Sequence, residues 1–494
     1  MKWIKLSNLT KDIFLTAIVT IVNLISIILT TRLLAQGLGP SEFGLYSLSR
    51  NVIKSIITFV TLGMTVALPR YLAFYFKNED KQKRVIFYGY CSVLSAIAIF
   101  FLLAIIFPQM VSSLLFGNVG SHYLLLGTLF LMIGHGVHLL SYATFRGHLL
   151  MNRANVLQFI NFGLLPLGVA LFFNKTSAHT VLLLMGIGTI IIALLPFLNY
   201  FIKSFGAIHY IKDHAVKELF TYAIPRVPAD IGLGLIFLFG PWTAARIGDI
   251  KESGFLVISQ SLLILIGTIL DAIGIVALPY FARLSGDTER DKLRASVFIL
   301  TALAFNAGIF ATFQLFIFAD WITILWCGKE YIPAIPYMRI TVISTGAYAI
   351  YVCLRSVIDA DELKAINTKN IWISLIIGIF VSALSFIIGC GSISLAIGLA
   401  SAFISLGTLS LIFIHKRFGL KMCDYNLTFS LILNLIIVVI VLIVKKFLPF
   451  SYSAVVILFF LQILFIMLFI KIFKIKGIKW FKETVKVVDP YEQK

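Results

Sequence analysis

Residues 44–68 read GLYSLSRNVIKSIITFVTLGMTVAL, an apolar stretch long enough to cross a membrane at roughly 20 residues per helical span. Polar side chains recur in it at intervals of three and four, which places them on one helix face. The members of this polar stripe are Ser47, Arg50, Asn51, Lys54, Thr58, Thr61 and Thr65. A basic side chain at mid-span costs about 2.5–3.5 kcal/mol to insert, so two of them are not expected to face lipid. The stripe therefore predicts one wall of a water-filled cationic cavity that suits an anionic ligand.

An internal repeat relates this stretch to a second one further along the chain. Val-Ala-Leu-Pro at residues 66–69 returns at residues 276–279, which is 210 residues later. Other residues match at the same offset or one residue more: Glu42, Gly44 and Ser49 with Glu252, Gly254 and Ser259, and Phe107 and Gly117 with Phe318 and Gly328. A nearly constant offset at three places indicates two related halves.

The composition is typical of a membrane protein and not of a soluble globular one. Of the 494 residues, 60% are hydrophobic and 13% charged, and the mean hydropathy is +1.00. Fourteen apolar stretches of span length are predicted, at 12–35, 44–68, 86–107, 121–143, 154–173, 178–200, 218–240, 253–278, 295–318, 336–358, 370–389, 391–414, 427–444 and 452–473. The segments between them are too short for a soluble domain.

The repeat and the spans together predict an all-α architecture in three parts. Residues 1–205 form an N-terminal bundle of spans 1–6, and residues 206–420 form a C-terminal bundle of spans 7–12. Residues 421–494 hold two accessory spans and a basic tail. Because six spans per half is an even number, both halves cross the membrane in the same direction. We therefore expect two parallel six-helix bundles around a central cationic cavity.

The placement of charge predicts the orientation in the membrane. The formal net charge is +19, and 30 of the 41 Lys and Arg residues fall on alternate segments that would share one side, against 6 on the other. This positive-inside pattern predicts a multi-pass protein of the inner (cytoplasmic) membrane with both termini cytoplasmic, and it does not indicate a nucleic acid partner. The lysine-rich tail around Trp480 suits an anionic lipid leaflet, with topology determination as the alternative explanation.

Several polar residues within spans are candidates for the cavity. The predicted substrate-binding residues are Arg50, Lys54, Arg226, Arg339, Asn23 and Asn51, and the candidate coupling residues are Asp230 and Asp271. Arg226 and Asp230 lie one turn apart in span 7, among prolines and glycines that favour a kinked or broken helix. The alternative for these two residues is a self-neutralising ion pair, and the alternative for Arg339 is that it anchors its helix.

The sequence predicts neither a metal site nor a cofactor nor a catalytic residue. The five cysteines are scattered without disulfide or ligand spacing. His135 and His138 lie one turn apart without a third ligand nearby, which favours helix packing over metal binding. The first span keeps polar residues such as Thr16 and lacks a cleavage site, so we expect a retained helix and not a signal peptide.

Three motifs carry a resemblance to a known family. They are GPSEFGLY at residues 39–46, VALPRY at residues 66–71, and WCGKEY at residues 326–331 followed by Ala334 and Arg339. The chain resembles bacterial and archaeal polysaccharide flippases of the Wzx type, which carry O-antigen and other lipid-linked oligosaccharides. They form part of the multidrug/oligosaccharidyl-lipid/polysaccharide exporter superfamily.

The resemblance implies a substrate and a mechanism. The substrate is undecaprenyl-pyrophosphate-linked oligosaccharide, moved from the inner to the outer leaflet by alternating access with an ion gradient or the membrane potential as driving force. The resemblance further implies a groove for the lipid tail at spans 13 and 14. A polysaccharide polymerase and a chain-length regulator are the expected protein partners.

Two other functions compete with this one. A multidrug exporter of the same superfamily expels organic cations and needs acidic residues in its cavity, whereas the polar stripe is basic. A membrane glycosyltransferase or polymerase needs an external loop with catalytic carboxylates or arginines. The longest predicted outer connection, residues 319–335, holds Asp320, Lys329 and Glu330 as its charged residues. These features favour a transporter over an enzyme.

Overall fold

A computed structural model describes residues 8–117, 121–207, 213–284, 290–361 and 366–419, together with Val439. Within these ranges every regular element is a helix and no strand occurs, which confirms the predicted all-α class. The predicted accessory spans 427–444 and 452–473 and the basic tail lie outside the described residues.

Packing divides the chain into two compact units. The first comprises the described parts of Met1–Val257 with the short segment Cys327–Tyr331, and the second comprises those of Ile258–Trp326 and Ile332–Lys494. The sequence-based domain bounds at residues 205 and 420 follow the repeat, and they remain a prediction.

The helices of the first unit run from α1 to α10. They are α1 (Asn8–Thr61), α2 (Met64–Phe74), α3 (Glu79–Ile106), α4 (Pro108–Phe116), α5 (His122–Gly147), α6 (Met151–Phe159), α7 (Leu165–Phe173), α8 (Ala178–Ser204), α9 (His214–Ala223) and α10 (Val227–Ile247). A π-helical turn (Ile160–Leu164) joins α6 to α7, and a 3₁₀ turn (Ile224–Arg226) joins α9 to α10.

The second unit contains the remaining helices. They are α11 (Ile250–Leu284), whose first turns belong to the first unit, α12 (Arg290–Ile317), α13 (Ala319–Trp326), α14 (Ile335–Ile343), α15 (Thr345–Asp361), α16 (Ile366–Ile387) and α17 (Ile393–Phe418). A 3₁₀ segment (Lys329–Ala334) precedes α14.

Helices cover each of the first twelve predicted spans. Among the described residues, ten helices are long and apolar enough to cross a membrane, and the bent pair formed by α14 and α15 makes an eleventh. One of the ten, Ile18–Thr61, is 44 residues long, about twice what one crossing requires. The chain is therefore a multi-pass membrane protein.

Two breaks divide what the sequence presents as continuous apolar helix. The first, at Gly39 (φ 74°, ψ 170°) before Pro40, separates the two arms of α1 and matches the predicted turn. The second was not predicted, because span 2 was expected to continue to Leu68. The backbone of Leu62 and Gly63 instead adopts positive φ angles of 49° and 73°. A Cβ on Gly63 would lie 2.5 Å from the Ala223 carbonyl oxygen, so the break lets the chain pack closely against the end of α9.

Two glycines that the predicted repeat pairs with each other lie close together within the first unit. Gly254 approaches Gly44 so closely that a Cβ on Gly254 would lie 3.2 Å from the Gly44 Cα. Small residues permit such close helix contacts in membranes. Tyr331, from the third motif, is fully buried against Phe43 and donates a hydrogen bond to the Ala35 carbonyl at 3.0 Å. The first and third motifs therefore pack together around the start of the second arm of α1.

Candidate anion-binding site

Arg50 lies on the second arm of α1 and contacts a tyrosine. Its Nη1 donates a hydrogen bond to the Tyr46 hydroxyl at 3.1 Å, and its guanidinium carbon lies 5.6 Å from the centre of the Tyr46 ring. Among the described residues, no carboxylate lies within ion-pair distance of it. The charge of Arg50 is therefore held in place by an aromatic side chain and is not cancelled.

Lys54 follows one helical turn after Arg50, and its side chain is exposed. In the described part of the chain it too lacks an ion-pair partner. Side chains four residues apart on a helix are neighbours, so these two cations reinforce one positive field. Two like charges at such a spacing favour a bridging anion, because the anion removes their mutual repulsion.

A small cavity opens beside Arg50 within the first unit. Its lining residues come from both arms of α1, from α5, from the π-helical turn and α7, and from α8: Ile27, Thr30, Arg50, Leu131, His135, Asn161, Phe162, Pro166, Met185 and Thr189. None of these lining residues is acidic. Thr30 and Asn161 are each only 2% exposed, and Thr30 Oγ1 and Asn161 Oδ1 have no hydrogen-bond partner among the described residues. The cavity therefore combines a cation with two unsatisfied oxygens.

The π-helical turn presents Asn161 to this cavity. Asn161 Nδ2 donates to His138 Nδ1 at 2.8 Å, and His138 Nε2 donates to Gln158 Oε1 at 3.1 Å. Both ring nitrogens of His138 are satisfied, which fixes its tautomer and leaves Asn161 Oδ1 as the open end of the chain of hydrogen bonds. π-helical turns occur frequently at functional sites.

Both histidines lie in packed surroundings within the first unit. His138 is fully buried in its hydrogen-bonded chain, and the His135 ring lies 5.0 Å from that of Phe162. Among the described residues no group of three potential metal ligands occurs. Their arrangement supports the packing interpretation, with His135 additionally lining the cavity.

The rest of the polar stripe divides between the cavity side and the helix interface. Asn51 is buried and its carbonyl accepts a hydrogen bond from Ser55, whose hydroxyl also lies 3.0 Å from the Gly234 carbonyl of α10. Thr61 is buried as well, so it does not face water as the stripe predicted. Asn23 is buried beside Gly163 of the π-helical turn. A Cβ on Gly163 would lie 2.6 Å from Asn23 Oδ1. The structure thus brings Asn23 next to the turn that carries Asn161.

Span 7 is broken as predicted, and its first residues direct Arg226 to a tyrosine. The guanidinium carbon of Arg226 lies 3.6 Å from the centre of the Tyr222 ring, and its Nη1 donates to the Tyr222 carbonyl at 2.8 Å. Asp230 is exposed in the first turn of α10. The contacts that hold Arg226 in place are therefore those with Tyr222.

The other predicted residues belong to the second unit. Arg339 is exposed on α14, with its guanidinium carbon 6.0 Å from the Phe316 ring. Asp271 lies in α11, and its side chain is outside what the structure describes. Sequence reasoning missed Thr30, Asn161 and Thr189 as cavity residues, and they come together only through packing. The one available signal was their position as isolated polar residues in apolar spans.

The fold and the cavity define a class, a multi-pass helical membrane protein in which an arginine lines a cavity among the described residues. Its fold is similar to that of "Lipid II flippase MurJ, inward closed conformation", with 15% identity, a TM-score of 0.70, and coverage of 93% of this chain and 99% of that one. It is also similar to an inward-facing "multidrug resistance MATE family transporter of the MOP superfamily", with 14% identity, a TM-score of 0.66 and coverage of 81% and 98%. A third similar structure is an outward-facing transporter of the same description, with 13% identity, a TM-score of 0.56 and coverage of 83% and 96%.

Residues 9–285, more than half of the chain, match the family described as polysaccharide biosynthesis protein. The chain belongs to this family. No curated protein matches it. The motif-based resemblance is thereby confirmed at the level of the family and the fold.

Proposed function

We propose that the protein is a flippase for undecaprenyl-pyrophosphate-linked oligosaccharide, which it moves from the inner to the outer leaflet by alternating access. The single observation that carries the proposal is Arg50 at the wall of the cavity, with Lys54 one turn away and no carboxylate paired with either among the described residues. Family membership and the fold shared with a lipid II flippase support it.

The site chemistry suits a pyrophosphate head group. Guanidinium and ammonium groups form charge-assisted hydrogen bonds to phosphate oxygens, and Arg adds a two-pronged contact. Thr30 and Asn161 offer a hydroxyl and a carbonyl oxygen to sugar hydroxyls. Desolvation of the two cations then costs less when the substrate is bound.

The remaining parts of the proposal concern orientation, coupling and partners. We place the protein in the inner membrane with both termini cytoplasmic, as two six-helix bundles with accessory spans 13 and 14. Asp230 and Asp271 are the candidates for ion coupling, and Arg226, Arg339, Asn23 and Asn51 complete the substrate-binding set. A polysaccharide polymerase and a chain-length regulator are the proposed partners.

Complementation of a strain that lacks its own lipid-linked oligosaccharide flippase tests the proposal. We expect Arg50→Ala/Lys54→Ala to abolish surface polysaccharide and to accumulate the lipid-linked intermediate, while membrane abundance stays normal. Arg50→Lys is milder, because it keeps the charge and loses the two-pronged contact. The matched control is Lys77→Ala/Lys175→Ala, which removes two exposed cations away from the cavity. Full export by the Arg50/Lys54 double variant would refute the proposed site.

The multidrug alternative is tested with the same strain. A pump for organic cations protects cells from cationic dyes, and its cavity requires an acidic group, which the lining residues of this cavity lack. We therefore expect expression of this chain to leave dye resistance unchanged. Resistance that depends on Asp230 would favour the multidrug function.

A further inference from the structure

Two arginines stack on one tyrosine of α9 in the first unit. The guanidinium carbon of Arg226 lies 3.6 Å from the centre of the Tyr222 ring, and that of Arg70 lies 4.2 Å from it. We name Arg70, Tyr222 and Arg226 the arginine–tyrosine cluster. Both guanidinium groups therefore pack on the same aromatic side chain, and their two positive charges lie close to one another.

The backbone on either side holds both arginines in position. Each follows a proline, Pro69 within α2 and Pro225 within the 3₁₀ turn between α9 and α10. The turn folds Arg226 back, so that its Nη1 donates to the Tyr222 carbonyl at 2.8 Å. Tyr71 packs edge-on against Tyr222 with their ring centres 5.8 Å apart, which holds the shared ring in place.

Two acidic residues at the start of α9, Asp213 and Glu218, have other partners. Glu218 accepts a hydrogen bond from the Tyr75 hydroxyl, and its carboxylate lies 3.4 Å from His214 Nδ1. Asp213 pairs with Arg84 at 2.5 Å. In the described part of the chain, neither Arg70 nor Arg226 lies within ion-pair distance of a carboxylate. The face of a ring attracts a cation without cancelling its charge, so the cluster keeps two positive charges.

The neighbouring tyrosines do not supply compensating negative charge. Burial and the hydrogen bond to Glu218 raise the pKa of Tyr75, and burial raises the pKa of Tyr71. Both phenols are therefore neutral at physiological pH. Arg70 and Arg226 are exposed, so an anion reaches them without any rearrangement of the core.

We propose that the arginine–tyrosine cluster is a second anion site, which binds the phosphorylated head group of the lipid-linked substrate before it reaches Arg50 and Lys54. The inference rests on the proposed flippase function, and it adds Arg70 and Tyr222 to the binding residues. The chemistry recognised is a pyrophosphate, held by two guanidinium groups whose orientation Tyr222 fixes.

The test uses the purified full-length chain in neutral detergent, with inorganic pyrophosphate as the probe and calorimetry as the measurement. All variants carry Arg50→Ala/Lys54→Ala, so that the cluster is observed alone. We expect Arg70→Gln/Arg226→Gln to weaken binding about tenfold or more, because two charge-assisted contacts are lost. Tyr222→Phe keeps the ring and the affinity, whereas Tyr222→Leu weakens binding. The matched control is Lys77→Gln, which removes a cation stacked 5.4 Å over Phe76 and leaves the affinity unchanged.

A second titration, with short-chain phosphatidylglycerol, separates the two sources of phosphate. Tighter binding of pyrophosphate than of phosphatidylglycerol supports the substrate's head group, and the reverse order overturns that assignment. Equal pyrophosphate affinity with and without Arg70→Gln/Arg226→Gln overturns the site itself. The complementation experiment with Arg50→Ala/Lys54→Ala reports on the proposed function separately, since the pyrophosphate titration requires no transport.

Discussion

Removal of the Asp213 carboxylate tests how the start of α9 is attached to the rest of the first unit. Asp213 Oδ1 accepts the hydrogen bond of the Ala215 amide at 2.8 Å and thereby caps α9, while Oδ2 pairs with Arg84 Nη1 at 2.5 Å. Both side chains of the pair are largely buried, with 18% and 19% exposed. Asp213 therefore makes two separate stabilising contacts with one carboxylate.

The expected magnitude follows from these two contacts. Loss of an N-cap costs about 1 kcal/mol. Loss of a hydrogen bond between charged groups costs about 1.5–3 kcal/mol. Asp213→Ala should thus lower the free energy of unfolding by about 2.5–4 kcal/mol, or the melting temperature by about 5–15 °C for a unit of this size. Asp213→Asn keeps the cap and loses the charge, so roughly two thirds of the effect should remain.

Thermal unfolding of the purified chain in detergent measures this effect. Asp249→Ala is the matched control, because Asp249 Oδ1 caps the start of α11 through the Lys251 amide at 3.0 Å, but its ion pair with Lys251 is about half exposed. Exposed pairs contribute about 0–1 kcal/mol, so the control should lose little beyond the cap. Equal melting temperatures for Asp213→Ala and Asp249→Ala would refute the reasoning.

The remaining predictions concern pH, accessibility and close packing. Burial lowers the pKa of His148. The contribution of the neutral His148 ring to stability is therefore complete above about pH 6.5 and is lost as the pH falls below that value. The melting temperatures at pH 5 and pH 7.5 should differ less for His148→Gln than for the parent chain. A water-soluble thiol reagent should label a cysteine that replaces Lys54, because Lys54 is exposed. It should not label a cysteine that replaces Thr61, because Thr61 is only 2% exposed. The reverse labelling would contradict the described orientation of α1. Gly254→Leu should lower membrane abundance or the melting temperature, because a Cβ at this position would lie only 3.2 Å from the Gly44 backbone. An unchanged melting temperature would contradict that close contact.

The helices were predictable because the length of an apolar stretch is a local property. Each of the first twelve predicted spans coincides with helix, and the proline-rich start of span 7 is broken as expected. The break at Leu62 and Gly63 was not predicted, since nothing in the local sequence separates it from a continuous apolar helix. It arises from the close approach of the Ala223 carbonyl, which is a tertiary contact.

Of the candidate site, the sequence predicted only the charged residues. Arg50 and Lys54 stood out because a cation within a span is costly. Thr30 and Asn161 resemble ordinary helix-packing residues in the sequence, and the π-helical turn that presents Asn161 has no recognised sequence signature. The contact of Arg226 with Tyr222 was not predicted, because the 3₁₀ turn that directs the Arg226 side chain back to this ring is not visible in the sequence.

The attachment of span 7 to the first unit determines where the chain divides into exchangeable modules. Near one end α9 is held by Arg84 and Tyr75, and near the other end Trp242 and Arg246 of α10 donate hydrogen bonds to the last carbonyls of α4 at 2.7–2.9 Å. A junction within residues 208–212 would separate α9 and α10 from these contacts. This applies both to a chimera with a relative and to a split version for co-expression. A junction at residues 248–249, between α10 and α11, leaves them intact. Recombination of sequences at that second position should therefore yield folded proteins more often than recombination at the boundary of the repeat.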